Sequence, residues 1–130
     1  MNRTFAKATL FWLIACSAWT LLILVFSLVP HPPELALPFL SWDKFQHASA
    51  YALLTLFIGR SWTCFRPWNA RIWWWAAASA LVFGIAIELL QGLMGIGRSA
   101  DPRDVLANAI GILSACLLVY IRRRLWPLRD

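Results

Sequence analysis

Four apolar stretches, separated by short polar or proline-containing segments, constrain the fold more than any other feature. The 130-residue chain is 61% hydrophobic and only 14% charged, whereas average soluble proteins carry about 25% charged residues. A helix needs about 20 apolar residues to cross a hydrocarbon core of about 30 Å. The sequence therefore predicts an all-α membrane protein, with a single domain over residues 1–130 and four transmembrane helices in a small bundle.

The predicted helices cover residues 10–29, 43–60, 72–94 and 104–121. Four prolines between residues 30 and 38 exclude a regular helix there, because proline lacks the amide donor and clashes with the preceding turn. Ser41 or Asp43 can cap the second helix, and Asp104 is a candidate cap for the fourth. Gly95, Gly97 and Pro102 indicate a turn between the third and fourth helices.

The first apolar run has two interpretations. The residues before Cys16 resemble a lipoprotein processing site, which would place cleavage and a lipid at that cysteine. However, the apolar run continues to Val29, longer than a secretory signal requires, so we expect a retained membrane anchor. Cys64 and Cys116 fall in an inner loop and in the fourth helix, and neither is placed where an oxidising compartment would pair it.

Basic residues predict the orientation. Nine of the twelve lysines and arginines fall on one side of a four-span arrangement, and only Lys44, Arg98 and Arg103 fall on the other. Positive residues mark the cytoplasmic side, so we expect a multi-pass protein of the inner (cytoplasmic) membrane with both termini in the cytoplasm. The net charge of +6 is thus a topology signal, and we expect no nucleic-acid partner.

Polar residues interrupt the apolar pattern over residues 88–111. Polar groups in a membrane segment are costly and usually face a bundle interior or a water-filled cavity, so they indicate a functional site. Four antiparallel helices would bring the start of helix 2, the end of helix 3 and the start of helix 4 to one level. The predicted site contains Asp43, Lys44, His47, Tyr51, Glu88, Gln91, Arg98, Asp101, Asp104 and Asn108.

Several of these residues also have a purely structural interpretation. Asp43 and Asp104 can act only as helix caps, and Gln91 and Asn108 can hold helices together by hydrogen bonds. Lys44 can extend to the lipid headgroups, and a lone histidine such as His47 is often structural.

Glu88 is harder to explain structurally, because a carboxylate at that depth needs a partner. The candidates are Arg98, Lys44 and His47. Gly111, further along helix 4, has the structural role of letting two helices approach closely.

These residues together resemble the VanZ-like family, small bacterial membrane proteins named after a protein linked to teicoplanin resistance. The matching pattern is Asp43-Lys44-x-x-His47-x-x-x-Tyr51, Glu88-x-x-Gln91, Arg98 and Asp104-x-x-x-Asn108-x-x-Gly111. The resemblance covers residues 42–115, and Ala115 replaces a second glycine that often follows Gly111. It implies a role in the cell envelope or in antibiotic resistance, and it supplies no mechanism.

Two functions compete. In the first, an outward-facing pocket binds an anionic lipid headgroup or a lipid-linked cell-wall precursor, with Lys44 and Arg98 holding a phosphate or carboxylate. In the second, a membrane enzyme acts on a lipid-linked phosphate substrate, with Glu88 and His47 as acid and base.

Two further functions have less support. A divalent-metal site at His47, Glu88 and Asp104 is chemically plausible, but no known metal motif supports it, so we expect neither a metal nor another cofactor. A transporter is disfavoured because the chain shows no inverted repeat. The sequence does not predict the oligomeric state.

The charge asymmetry predicts which cysteines an impermeant reagent can label in intact cells. A cysteine introduced at Ala36 or Ala100, in a Cys64→Ser background, should be modified from outside, because both positions fall in predicted outer loops. Native Cys64 should react only after the membrane is permeabilised. Labelling of Cys64 in intact cells would reverse the predicted topology.

Overall fold

The structure is a computed structural model that describes residues 3–29, 43–66, 68–94 and 100–126. These residues form four helices and no strand: α1 (Arg3–Leu28), α2 (Asp43–Thr63), α3 (Ala70–Met94) and α4 (Pro102–Leu125). Consecutive helices are antiparallel, because the start of α1 contacts the end of α2, the end of α2 contacts the start of α3, and the end of α3 contacts the residue before α4. The predicted all-α bundle is confirmed over this part of the chain.

Three of the four helices are long and apolar enough to cross a membrane: α1, α3 and α4. The 21-residue α2 is not among them, so the prediction of four transmembrane helices holds only for these three. The composition of α2 reflects its position, since α2 contacts all three other helices. Much of its surface faces protein and does not need to be as apolar as a surface that faces lipid.

The start of α4 differs from the prediction. Asp101 is the N-cap residue, and its side chain accepts a hydrogen bond from the amide of Arg103 at 2.9 Å. Pro102 is the first helical residue, a position that suits proline because no amide donor is needed there. The predictions of Asp104 as the cap and of Pro102 as part of the turn are therefore wrong. Asp104 lies in the first turn of α4.

The core lies between α2 and its neighbours. Its buried members are Ile23, Tyr51, Leu54, Ala80, Ile87 and Ile112. The indole nitrogen of Trp19 donates a hydrogen bond to the carbonyl of Ala50 at 2.9 Å and joins α1 to α2. Most of the remaining α1 surface is exposed, as expected for a helix that faces lipid.

Two small residues set the distance between α2 and α4. Gly111 is buried, and a Cβ atom added there would overlap the carbonyl group of Ala48. Ala115, one turn further along α4, is 1% exposed. The predicted role of Gly111 in close helix approach is confirmed, and alanine suffices at position 115.

The opposite end of the bundle carries basic residues stacked on tryptophans. The Arg60 guanidinium lies 5.2 Å from the ring centroid of Trp12, and that of Arg123 lies 4.8 Å from the ring of Trp68. Ser61 adds a hydrogen bond to the carbonyl of Trp12 at 3.1 Å. Cation–π contacts and interfacial tryptophans are typical of a membrane boundary.

We expect Gly111→Ala to destabilise the bundle by about 1–3 kcal/mol, the usual cost of forcing extra atoms into a packed interior. The added methyl group meets the backbone of Ala48, which cannot rotate away. Thermal unfolding in detergent measures this effect. Ser114→Leu, at an exposed position of the same helix, is the control and should leave the midpoint unchanged. If Gly111→Ala and Ser114→Leu unfold at the same temperature, the close approach of α2 and α4 at Gly111 is contradicted.

Candidate functional site

Seven polar residues meet at the end of the bundle where α2 and α4 begin and α3 ends. We call them the polar cluster: Asp43, Lys44, His47, Glu88, Asp101, Asp104 and Asn108. All seven belong to the site predicted from the sequence. Arg98 also belongs to that prediction, but it lies outside the described residues.

The ammonium group of Lys44 connects α2 with the start of α4. It donates to Asp101 Oδ2 at 2.9 Å, to Asp43 Oδ2 at 3.1 Å and to Asp104 Oδ1. A lysine has three donors, and here each of them has a carboxylate acceptor. Lys44 is therefore held within the cluster, and an anion that binds Lys44 would have to displace an aspartate.

His47 lies between two aspartates and an amide. Its Nδ1 is 3.2 Å from Asn108 Oδ1, whereas its Nε2 is 3.7 Å from Asp43 Oδ1 and 3.6 Å from Asp104 Oδ2. The side chains of His47 and Asp104 are each 13% exposed. Asp43, His47 and Asp104 each offer one possible metal-ligand atom, and these atoms lie within 4.8 Å of one another.

The described hydrogen-bond partner of Glu88 is a backbone amide and not Lys44 or His47, whereas Arg98, the third predicted partner, lies outside the described residues. The Oε2 atom of Glu88 accepts a hydrogen bond from the backbone amide of Asp101 at 3.0 Å. The residue is 4% exposed, and its Oε1 has no hydrogen-bond partner among the described residues. Pairing with Lys44 is not seen because three aspartates already surround that ammonium group.

Gln91 and Tyr51 are buried, and their described contacts join or pack the helices. The amide of Gln91 donates to the carbonyl of Ser27 at 2.8 Å and joins α3 to α1, as its structural interpretation predicts. The Tyr51 ring lies against Gly84 and has its centroid 6.4 Å from that of Phe83. The amide of Gln91 thus points towards α1, and the contribution of Gln91 and Tyr51 to the site stays a prediction.

Two contacts were missed by the sequence analysis. The amide of Asp101 meets Glu88, and the carbonyl of Ser27 meets Gln91. Both are backbone groups, and no side-chain pattern identifies a backbone partner. The only signal available was the position of Ser27 at the end of a predicted helix, where carbonyl groups lack partners within the helix.

The described part of the cluster has more negative than positive charge. Four carboxylates, from Asp43, Glu88, Asp101 and Asp104, surround one ammonium group and one imidazole. Hydrogen bonds from the Arg103 amide, and then from Lys44, hold the pKa of Asp101 below its usual range. A cation or a hydrogen-bond donor would therefore be stabilised among these carboxylates.

We expect Lys44→Met to lower stability by about 1–3 kcal/mol, because it leaves the carboxylates uncompensated. This is less than the 3–5 kcal/mol typical of breaking a fully buried pair, since the Lys44 side chain is 27% exposed. Adding Asp104→Asn should cost less than the sum of the single changes. Thermal unfolding measures all three variants, with the exposed Lys7→Met as control. If the stability losses of the two single variants add up fully in the double variant, the pairing of Lys44 with Asp104 is contradicted.

The lowered pKa of Asp101 predicts that part of the folding stability is lost in acid. Its folded pKa lies below the unfolded value of about 3.9. The contribution of Asp101 to the free energy of unfolding is therefore complete above the unfolded pKa, and it is lost as the pH falls through the folded pKa. Asp101→Asn keeps a capping side chain and should flatten the decline of the unfolding midpoint below about pH 4. If the midpoint of Asp101→Asn falls with pH as steeply as that of the wild type, Asp101 contributes nothing to the loss of stability in acid.

Comparison with known proteins agrees with the resemblance seen in the sequence. The chain matches the VanZ/LLP1 family model over residues 11–123. The match extends beyond residues 42–115 and includes most of α1. No curated protein and no solved structure matches the chain. Because the family model covers nearly the whole chain, we conclude that this protein belongs to the VanZ/LLP1 family.

Proposed function

We propose that this protein is an envelope factor of the inner membrane that binds the headgroup of a lipid or of a lipid-linked cell-wall precursor. Through this binding it would contribute to glycopeptide resistance of the teicoplanin type. The family supports the envelope role. The polar cluster supports the binding, because it lies at one end of the bundle, where the headgroups of a surrounding bilayer would be.

The proposal includes α2 as a fourth span. Its 21 residues correspond to about 31 Å of helix, enough to cross the hydrocarbon core. It runs antiparallel to α1 and α3 and contacts both. With the basic, tryptophan-rich end on the cytoplasmic side, the polar cluster faces outward and both termini are cytoplasmic.

The Oε1 atom of Glu88, which has no hydrogen-bond partner in the part of the chain that the structure describes, is the observation that carries the proposal. A buried acceptor without a donor is costly, so a ligand that supplies a hydroxyl or amine would be stabilised there. A phosphate would depend on Arg98, which the sequence places after α3 and which suits bidentate contacts, because Lys44 already contacts three carboxylates. The ligand class that satisfies both is a phosphate-bearing headgroup with hydroxyl or amine donors.

An enzyme acting on a lipid-linked phosphate substrate is the second candidate. His47 and the carboxylate of Glu88 are close enough to interact electrostatically, and Oε1 of Glu88 is available to take up or deliver a proton. Turnover separates the two functions. Conversion of a lipid-linked phosphate by the purified wild type, but not by Glu88→Gln, would favour the enzyme, whereas stoichiometric binding without conversion favours the envelope factor.

We expect Glu88→Gln to keep the fold, because the amide oxygen can still accept from the Asp101 amide. Loss of the carboxylate should weaken lipid binding about tenfold, which corresponds to ~1.4 kcal/mol. It should also make cells as sensitive to teicoplanin as cells that lack the protein. Ser61→Ala, a polar change at the opposite end, is the matched control. Full resistance in the Glu88→Gln strain would contradict the proposal.

Mass spectrometry of lipids that co-purify with the protein identifies the ligand. A phosphate-bearing species retained by the wild type should be lost from Arg98→Ala, because that change removes the proposed phosphate contact. It should be retained by Ser61→Ala. Identical lipid profiles for the wild type and Arg98→Ala would exclude a phosphate contact at Arg98.

A further inference from the structure

The hydrogen bond between His47 and Asn108 determines where the imidazole has its lone pair. Asn108 Oδ1 is an acceptor, so the Nδ1 atom 3.2 Å away carries the proton. A neutral His47 then presents the lone pair of Nε2 to Asp43 Oδ1 and Asp104 Oδ2. Three electron-rich atoms facing one another repel, and a cation among them would remove this repulsion.

The spacing of these atoms fits a metal ion better than hydrogen bonds. The distances from Nε2 to the two carboxylate oxygens, 3.6 and 3.7 Å, exceed the usual range for hydrogen bonds. Ligands about 2.1 Å from a zinc ion at tetrahedral angles lie roughly 3.4 Å apart. The two distances from Nε2 are therefore within a few tenths of an ångström of those in a tetrahedral site, and all three candidate ligand residues offer atoms within 4.8 Å of one another.

Lys44 does not fill this position. Its ammonium group contacts Oδ2 of Asp43 and Oδ1 of Asp104, which are the opposite oxygens of the two carboxylates. The oxygens that face His47 have no described lysine contact. Each aspartate can thus hold Lys44 with one oxygen and an ion with the other.

Two further observations point to a ligand. Glu88 is buried, leaves Oε1 without a partner in the described structure, and is near enough to His47 and Asp104 to interact electrostatically. Asn108, itself 1% exposed, accepts a hydrogen bond from the Nδ1–H group of His47. Groups outside the ligand shell orient metal-binding histidines in the same way.

We propose that the polar cluster is a zinc-type divalent-metal site. Its ligands are His47 Nε2, Asp43 Oδ1 and Asp104 Oδ2, and Asn108 positions the imidazole. Asp43 is the most exposed of the three ligand residues, with 58% of its side chain accessible. The site goes beyond headgroup binding, because metal uptake does not require the lipid.

Metal binding can be measured on the full-length protein in detergent after treatment with a chelator. We expect one Zn²⁺ per chain by elemental analysis, and visible absorption typical of tetrahedral coordination when Co²⁺ is used as the probe. His47→Gln and Asp104→Asn should abolish both signals. Asn108→Ala should weaken Zn²⁺ binding about 10–100-fold, as loss of an orienting group does.

Three more variants complete the test. Asp43→Asn changes an exposed residue and so should fold normally, yet it should still weaken binding. Lys44→Met removes a positive charge beside the ion and should strengthen binding, whereas weaker binding would contradict this coordination, in which the ion and the ammonium group repel each other. Cys64→Ser controls for adventitious binding to a thiol and should bind Zn²⁺ normally.

The remaining results that would overturn the site are absence of Zn²⁺ uptake by the wild type, uptake that persists in Asp43→Asn and His47→Gln, and loss of uptake in Cys64→Ser. Metal content is measured whether or not a lipid co-purifies. A failure of this proposal therefore leaves headgroup binding unaffected, and a protein that binds Zn²⁺ but no lipid would refute only the headgroup proposal.

Discussion

The close approach of α2 and α4 is the constraint on which the site depends. Because Gly111 has no side chain, α4 can lie directly against the backbone at Ala48. This spacing lets the short side chain of Asn108 reach His47 and brings Asp101 and Asp104 to Lys44. A wider separation would leave these groups buried but unpaired, a costly state in hydrocarbon. The glycine thus acts on the chemistry of the cluster through helix spacing alone.

The two ends of the bundle carry opposite charges and hold them in different ways. At one end Arg60 and Arg123 stack on tryptophan rings, and Arg60 is exposed, so that water and headgroups can solvate its charge. At the other end carboxylates collect inside the bundle and are compensated mainly by Lys44. Only the second arrangement concentrates charge of one sign in a partly buried space. Such a space stabilises what it binds, because electrostatic interactions weaken less there than in water.

The fold and most members of the cluster could be predicted, because apolar run lengths and helical spacing are properties of the sequence itself. Asp43 and His47 share a face of α2 at a spacing of four residues, and antiparallel helices bring that face to the start of α4. The partners could not be predicted. Glu88 accepts from a backbone amide, and the side chain of Gln91 points to a carbonyl of α1. The start of α4 was misplaced because both Asp101 and Asp104 suit a cap, and only the backbone geometry decides between them.

The separation in sequence between Lys44 and its partners has a consequence for how the protein is made. Asp101 and Asp104 follow Lys44 by 57 and 60 residues, so α2 leaves the ribosome long before two of its three counter-charges exist. An early α2 also lacks α3 and α4, the helices that cover much of its surface. In the proposed four-span arrangement, its passage into the lipid phase would be coupled to synthesis of the last helix. Until then α2 would have to remain with the insertion machinery or at the polar boundary of the bilayer.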